Sequence, residues 1–326
     1  MISLPWYPPS AGAVRMIEHC LYGVKVFCDF PLFDRPAPVS AVAPGEHAAL
    51  ELRQAGAGEV SPPGPGSLAS KTPLYSTHGR ELFLLTDREQ ARSVSGQPWC
   101  LEVESVVSLT WTGGEPLVYY QLHAEGTRAL LVFWFVHIFL PLHLTLERGY
   151  DFIHAAAVEV DEQPILFIAP SMGGKSTLGD YFLKQGHPML SDDKVATFLE
   201  QGRYYAVPSH PHHRPFREFE VLGNPVQLFA SQARPIHAFY VLAQAEPDAG
   251  IEITEVTGFR KFEELLPNYL FSFRFLQAQR LRWLAQLADQ SLVYRVSRPW
   301  SLGRMHETYE AICAHISHSA CFDHDE

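Results

Sequence analysis

The sequence predicts a mixed α/β protein, α+β overall, and two features lead to this conclusion. Short β-type runs fill residues 1–125, which we expect to form a β-rich N-terminal domain. Residues 126–326 open on a long apolar helix and continue into a dense strand–turn–helix–strand block over residues 152–196. A length of 326 residues fits two domains of about 150 residues each.

The composition indicates a packed, acidic protein. Hydrophobic residues make up 47% of the chain and charged residues 19%, so a sizeable core is expected. The formal charge of −11 argues against nucleic acid as a partner, because an acidic surface repels phosphate backbones. Five scattered cysteines without a C-x-x-C pair indicate reduced thiols, and no export signal is visible, so we expect a cytoplasmic protein.

The β-rich part contains four runs with strand composition, and a good hairpin turn lies at residues 112–115. The expected strands are residues 23–28, 81–85, 101–107 and 116–122. Between residues 55 and 70 the composition shifts to Gly, Pro, Ala and Ser, which is typical of a mobile loop or linker.

The apolar stretch 129–146 has nearly the length of a membrane span, but it holds His137, Pro141 and His143. We therefore predict a buried core helix with a proline kink and no membrane partner. Further along, a helical pattern covers residues 261–290, a short strand residues 292–296, and a final helix residues 305–318.

The strongest motif follows the apolar run 165–168, which has strand length. The chain continues through a glycine-rich turn into a helical segment that Gly186 closes. This is the context of a phosphate-binding P-loop (Walker A), in which backbone N–H groups and a helix N-terminus hold the phosphates. Ala169 stands where that pattern has its first glycine. The candidate binding residues are Ala169, Ser171, Gly173, Gly174, Lys175, Ser176 and Thr177.

Within this motif, Lys175 is expected to reach the β- and γ-phosphates and Ser176 to offer its hydroxyl to Mg²⁺. Two adjacent carboxylates, Asp192 and Asp193, then follow a short apolar strand. Neighbouring side chains of a continuing strand face opposite ways, so one acid can address an acceptor hydroxyl and the other a metal or water. Phosphoryl transfer needs both functions.

Over about residues 148–200, the run 154–158 (HAAAV), the glycine-rich loop and the Asp192–Asp193 pair resemble the catalytic domain of HPr kinase/phosphorylase and its relatives. These are P-loop serine kinases whose fold is akin to phosphoenolpyruvate carboxykinase. The resemblance implies ATP and Mg²⁺ as cofactors and Asp192 as the catalytic base that takes the serine proton. It places Asp193 on the metal side with Ser176, and His154 matches a family histidine ahead of the loop.

The HPr enzymes carry Gly where Met172 stands and Glu where Thr177 stands, which points away from HPr itself as the substrate. The chain looks more like stand-alone relatives, among them kinases of ribosomally made peptide precursors such as lasso peptides. We therefore expect transfer of the γ-phosphoryl group to a serine of a peptide or protein. A small-molecule kinase, or a nucleotide-binding regulator without transfer, remains an alternative, and a homo-oligomer is an open option.

Weaker signals lie nearer the C-terminus. Prolines around His210, His212 and His213 favour a surface loop flanking the active site over a metal site. Arg214 and Arg217 are candidates for contacting the γ-phosphate or an acceptor carboxylate, with surface ion pairs as the alternative.

For two further clusters of side chains the sequence does not indicate a particular ligand. The aromatic run 269–275 fits core, oligomer interface or a peptide groove. The last cluster consists of Cys313, His315, His318, Cys321 and His324. It fits a frayed tail without metal better than a zinc site.

Overall fold

The computed structural model describes residues 16–34, 49–56, 75–86, 93–214, 219–271 and 273–322. The strands are β1 (Ile17–Leu21), β2 (Val24–Cys28), β3 (Ala49–Gln54), β4 (Tyr75–Thr77), β5 (Arg80–Thr86), β6 (Pro98–Val103), β7 (Val107–Thr112), β8 (Leu117–Leu122), β9 (Asp151–His154), β10 (Ala156–Val160), β11 (Gln163–Ile168), β12 (Met189–Ser191), β13 (Lys194–Glu200), β14 (Arg203–Val207), β15 (His212–His213), β16 (Asn224–Pro225), β17 (Arg234–Pro235), β18 (Ala238–Ala245), β19 (Glu252–Glu255) and β20 (Leu292–Pro299). The helices are α1 (Arg128–Trp134), α2 (Leu140–Arg148), α3 (Lys175–Lys184), α4 (Phe259–Leu265), α5 (Gln277–Gln290) and α6 (Met305–Phe322). Several mixed sheets combine with these helices, so the mixed α/β prediction is confirmed.

The first sheet contains β1 to β8 in the order β1-β2-β3-β8-β7-β6-β5-β4. The expected strands at 23–28, 81–85 and 116–122 are present, and the turn at 112–115 joins β7 to β8. The single strand predicted at 101–107 is wrong. The chain reverses after Val103 through a tight turn in which Ser105 has a φ of 59°, and β7 begins only at Val107. Most of the predicted linker lies outside the described residues.

The apolar stretch forms α1, a π-helical turn at Phe135–Phe139, and α2. Pro141 lies in the first turn of α2, just after the π-helical turn, and such a turn is one way for a helix to accommodate a residue without an N–H group. By length and composition the helix Arg128–Arg148 would be long enough to cross a membrane, but 89% of its most apolar window is buried inside the fold. It packs against the first sheet in one shared core, where Phe139 contacts Trp111 edge to face. The predicted buried helix is confirmed, and the domain division at residue 125 stays a prediction.

The second sheet positions the candidate site. Its order is β12-β10-β11-β18-β20-β19, and β11, β18 and β20 are parallel neighbours. Strand β12 runs in the same direction as β11, because both pair antiparallel with β10. The carboxyl ends of β11, β12 and β20 therefore meet at one edge of the sheet, where open α/β sheets usually bind ligands.

Both faces of this sheet are covered, which explains the uninterrupted apolar run of β11. Ile165 and Phe167 pack on the side of α3 and α6, whereas Leu166 and Ile168 pack on the side of α5. A smaller sheet of order β17-β14-β13-β9 adjoins it, and β15 pairs with β16.

The continuous helix predicted over 261–290 is wrong in its middle. Helix α4 ends at Leu265 and short 3₁₀ helices follow at Leu266–Asn268 and Arg274–Leu276. Leu266 keeps helical backbone angles, but Pro267 has no N–H to donate, so the α-helical hydrogen bonds of α4 do not continue through it. Between these segments Phe271 and Phe273 are buried in the core beside the first sheet, in agreement with the core interpretation of the aromatic run.

Candidate active site

The glycine-rich loop links the carboxyl end of β11 to the first turn of α3. Gly174 has a φ of 84°, and a Cβ there would collide with Nη2 of Arg298. A Cβ on Gly173 would lie 2.6 Å from the Cβ of Ala169, so the close packing also requires glycine at that position. Ala169 itself does not have a positive φ, which explains why alanine is tolerated there. Met172 does, with a φ of 62°, and its side chain is 87% exposed.

The loop borders a cavity of about 560 Å³. We call this the loop cavity. It is lined by Met172, Gly173, Gly174, Lys175, Ser176, Thr177, Arg298, Trp300, Ser301, Leu302 and Met305. Lys175 is buried, and its Nζ donates a hydrogen bond to the Ala169 carbonyl at 2.7 Å. The lysine is thus held inside the loop. The residues predicted for phosphate binding at 173–177 line one cavity together.

The first acid of the pair, Asp192, follows the end of β12 and is buried. Its Oδ2 accepts a hydrogen bond from the Arg214 backbone N–H at 2.7 Å, and its Oδ1 lies 3.3 Å from His213 Nε2. The same imidazole nitrogen lies 3.3 Å from the Ser176 carbonyl oxygen. Burial raises the pKa of Asp192 above its ordinary value, and His213 works against that increase.

The second acid, Asp193, has different partners. Its Oδ1 lies 3.2 Å from His154 Nε2, and its Oδ2 accepts from Lys194 Nζ at 2.6 Å and from Arg214 Nη2 at 3.5 Å. Although burial opposes ionisation, Lys194, His154 and Arg214 hold the pKa of Asp193 well below its usual range. His154 reaches the acid because it stands opposite Lys194 in the β9–β13 pair.

A second cavity, of about 420 Å³, lies on the side of Asp193. We call this the charged cavity. It is lined by Thr77, His78, Ile138, His154, Asp193, Lys194, Arg214, Phe219, Leu270 and Phe271. Burial, reinforced by Arg214 and Lys194, lowers the pKa of His78 to about 4, so this imidazole is neutral near pH 7. Nη1 of Arg214 is buried and has no hydrogen-bond partner among the described residues.

The structure brings most predicted site residues to one sheet edge but separates one proposed pair. Ser176 and Asp193, both expected at the metal, line different cavities, and Asp192 is the acid connected to Ser176 through His213. Arg217 lies outside the described residues. The alternative of a surface ion pair does not apply to Arg214, because its side chain is buried and Glu220 lies beside Arg80 and Trp134.

The prediction of a surface loop for His210, His212 and His213 is wrong, because all three side chains are buried. The ring of His210 contacts His137 at a centroid distance of 4.9 Å, and His212 packs on Phe33 at the same distance. Backbone N–H groups of Ser209 and Arg214 donate to the Leu190 carbonyl and to Asp192, and these bonds hold the segment where His213 reaches Asp192.

The sequence did not predict the role of four residues at the candidate site. Lys194 could have been found as a cation directly after the acid pair, and His213 was noticed but placed on the surface. Arg298 and Trp300 carry no local signal, because they reach the loop only through the parallel strand β20.

The described side chains of the C-terminal cluster are those of Cys313, His315 and His318. Helix α6 continues to Phe322, where a frayed tail was expected. His315 Nδ1 lies 3.1 Å from the Tyr240 hydroxyl, and His318 Nδ1 donates to the Ala314 carbonyl. Nowhere in the described ranges do three or more His, Cys, Asp or Glu side chains form a group able to hold a metal ion. His324 lies outside those ranges.

The site chemistry fits the expected cofactors. Gly173 and Gly174 let the loop pack closely against Ala169 and Arg298, because neither position has room for a Cβ. Lys175 and Arg298 line the same cavity and are cations that suit a phosphate. Mg²⁺ in nucleotide sites takes one or two protein oxygen ligands together with phosphate oxygens, so the missing cluster of acids does not conflict with it. The Ser176 hydroxyl and the two carboxylates are oxygen donors of the right type.

No family model matches the sequence, and no curated protein matches it. Among solved structures, the chain is similar to the Hpr(Ser) kinase/phosphatase from Coxiella burnetii. The two share 13% sequence identity with a TM-score of 0.34, over 53% of this chain and 94% of that chain. At that level of similarity the function has to be inferred from the chain's own residues.

Proposed function

We propose that the protein is an ATP-dependent, Mg²⁺-requiring kinase that transfers the γ-phosphoryl group to a serine hydroxyl of a peptide or protein. One observation carries the proposal. A glycine-lined loop holding Lys175 borders a cavity of about 560 Å³, and the acid pair lies at the same edge of the sheet. A phosphate-binding loop beside carboxylates provides the electrostatic and proton-accepting groups that phosphoryl transfer requires.

In this proposal the loop binds the nucleotide and Lys175 exchanges its hydrogen bond to Ala169 for the β- and γ-phosphates. Ser176 contributes its hydroxyl to Mg²⁺. When bound, MgATP supplies the γ-phosphoryl group and much of the charge neutralisation. The bond from γ-phosphorus to the β–γ bridging oxygen breaks, the bond from γ-phosphorus to the serine oxygen forms, and ADP leaves.

The serine proton goes to Asp192. Its raised pKa supports this role, because a carboxylate of higher pKa is a stronger base. Asp193, whose pKa is depressed, stays ionised and is proposed for the metal side, as the family resemblance implies, although it lines a different cavity from Ser176. His154 orients Asp193 through its 3.2 Å contact.

The charged cavity is the proposed entrance of the acceptor. Arg214 lines it, and its Nη1 has no hydrogen-bond partner within the described ranges, so this guanidinium would contact the γ-phosphate or an acceptor carboxylate. Arg217 follows it closely in the sequence and is proposed for the same contact. Such a kinase would act in the cytoplasm, where MgATP is abundant.

The test is incubation of the purified protein with MgATP and serine-containing peptides, followed by measurement of ADP and of peptide mass. Transfer adds about 80 mass units per phosphoryl group. Lys175→Ala is expected to abolish both signals. Lys184→Ala is the matched control, because Lys184 lies on the same helix, is 70% exposed and should leave both signals unchanged.

Other outcomes would redirect the proposal. ADP formation with small hydroxyl compounds and no mass gain on any peptide would indicate a small-molecule kinase. Stabilisation by MgATP without any transfer would indicate a nucleotide-binding regulator. Equal activity of the two lysine variants would refute the role of the loop.

A further inference from the structure

Arg298 is a buried cation in the wall of the loop cavity. It lies near the end of β20 with 2% of its surface exposed, and its Nη2 donates to the Gly173 carbonyl at 3.2 Å. Its Nε has no hydrogen-bond partner among the described residues. Burial lowers the pKa of this guanidinium, and no carboxylate in the described chain offsets that effect. A desolvated cation of this kind favours an anionic occupant beside it.

Strand pairing explains why Arg298 faces the loop. Val241 of β18 stands opposite Ile168 at the end of β11, and Gln244, three residues further, stands opposite Arg298 of β20. Arg298 therefore extends past the last residue of β11, level with the loop that follows it. By the two-residue alternation of β20, Arg298 lies on the same face of the sheet as Tyr294 and Val296, which pack on the side of α3 and α6.

The rim next to Arg298 is apolar and exposed. Trp300 is 45% exposed, and the exposed side chains of Met172 and Leu302 line the same cavity. The Arg298 guanidinium carbon lies over one face of the Trp300 ring, 5.2 Å from its centroid, which helps to hold the indole beside the loop. The cavity thus offers a cation at its phosphate-binding end and an exposed aromatic surface at its mouth.

We infer that Arg298 is a second phosphate-binding cation of the loop and that Trp300 is the platform on which the base of a nucleoside triphosphate stacks. This inference rests on the proposed function. A ligand with an anionic end and a planar, weakly polar end satisfies both halves of the cavity, and nucleotides combine the two. Stacking on indole is tolerant of base identity, so the site binds ATP without strict selection for adenine.

The experiment is equilibrium binding by calorimetry with two probes, MgATP and magnesium tripolyphosphate, which lacks the base and sugar. Trp300→Ala should weaken MgATP binding about tenfold and leave tripolyphosphate binding unchanged. Trp300→Phe should restore most of the MgATP affinity. The control is Phe259→Ala, which removes another exposed aromatic ring and should change neither affinity.

Arg298→Gln should weaken both probes about tenfold or more, since it removes a charged hydrogen bond to phosphate. Thermal unfolding without ligand checks that each variant is folded. Should Arg298→Gln fail to fold, Arg298→Lys replaces it, which keeps the charge but loses the planar fork and should weaken both probes less.

Equal weakening of both probes by Trp300→Ala, or none, would overturn the stacking platform. Unchanged tripolyphosphate binding in the folded Arg298 variant would overturn the second cation. If Lys175→Ala abolishes MgATP binding while the Arg298 and Trp300 variants bind normally, this inference fails and the proposed function survives. If the wild-type protein binds neither probe, both fail together.

Discussion

The loop cavity and the charged cavity lie on either side of the acid pair, and the fold builds them in different ways. The loop cavity comes from the carboxyl edge of one sheet, with most of its walls in the run 172–177 and just after β20. The charged cavity draws on the β4–β5 turn, the apolar helix, β9, β13 and the segment after β15. The loop cavity is therefore built from two short runs of the chain, whereas the charged cavity draws on many separate segments.

Their electrostatics differ as well. Among the described residues that line the loop cavity are two cations, Lys175 and Arg298, and no carboxylate. In the charged cavity Lys194 and Arg214 face Asp193, which neutralises part of their charge. The difference indicates that the loop cavity needs an anionic ligand to balance its cations, whereas the charged cavity already contains an anion, Asp193.

The largest effect is expected at the acid between the cavities. Asp192→Asn should lower the rate of phosphoryl transfer about 10²- to 10⁴-fold, the usual contribution of a positioned general base. The variant should remain folded, because the amide oxygen can still accept the Arg214 N–H and burial already disfavours the ionised carboxyl. The measurement is the transfer rate at saturating MgATP, with thermal unfolding as the check on folding.

The two acids can be told apart in the same assay. Asp193→Asn should raise the Mg²⁺ concentration needed for half-maximal rate, whereas Asp192→Asn should lower the maximal rate at any Mg²⁺ concentration. Since the pKa of Asp192 is raised, the wild-type rate should fall on the acid side at a pH above the ordinary carboxyl range. The opposite dependence on Mg²⁺ would exchange the two roles.

The same contrast explains what could be predicted from the sequence. The loop from Ala169 to Thr177 and the pair Asp192–Asp193 were found because glycines, a lysine and two acids lie within one strand–helix–strand unit. The apolar helix was predicted as core because His137, Pro141 and His143 interrupt it. In each case the signal is local, and the structure brings these local units together at one sheet edge.

The remaining features could not be predicted, because they depend on contacts between distant segments or on the conformation of a single residue. Arg298 belongs to a strand that becomes a neighbour of the loop only through β18, and no pattern near it indicates this. The prolines around His213 predict an exposed loop, but hydrogen bonds from this segment to Leu190 and Asp192 hold the imidazole buried against Asp192. Ser105 interrupts an apparently continuous strand with a single positive φ, which composition does not reveal.

The next largest effect is expected on the free energy of unfolding, through the ion pairs of the charged cavity. Asp193→Asn should cost about 3 kcal/mol of unfolding free energy near pH 7, because it leaves the buried Lys194 and Arg214 without their shared acid. The measurement is urea unfolding. Glu264→Gln is the control, since Glu264 pairs with the half-exposed Arg295 and should cost under about 1 kcal/mol.

The pH dependence of this loss follows from the depressed pKa of Asp193. A carboxyl whose pKa is lower in the folded state stabilises the fold above its unfolded pKa and loses that contribution as the pH falls. The difference between wild type and Asp193→Asn should therefore shrink below about pH 4. A difference that stays constant from neutral to acidic pH would contradict the ion pairs as its source.

The smallest effect tests how tightly the loop cavity is built. Gly174 and Gly202 have similar φ values, 84° and 77°, but a Cβ on Gly202 meets nothing within 4 Å, whereas a Cβ on Gly174 meets Arg298. Gly202→Ala should therefore show only the cost of the left-handed backbone, about 1 kcal/mol. Gly174→Ala should show that cost and, in addition, displace the guanidinium and weaken MgATP binding severalfold. Equal effects of the two variants on stability, with MgATP binding unchanged in both, would mean that Arg298 does not hold the loop in its binding shape.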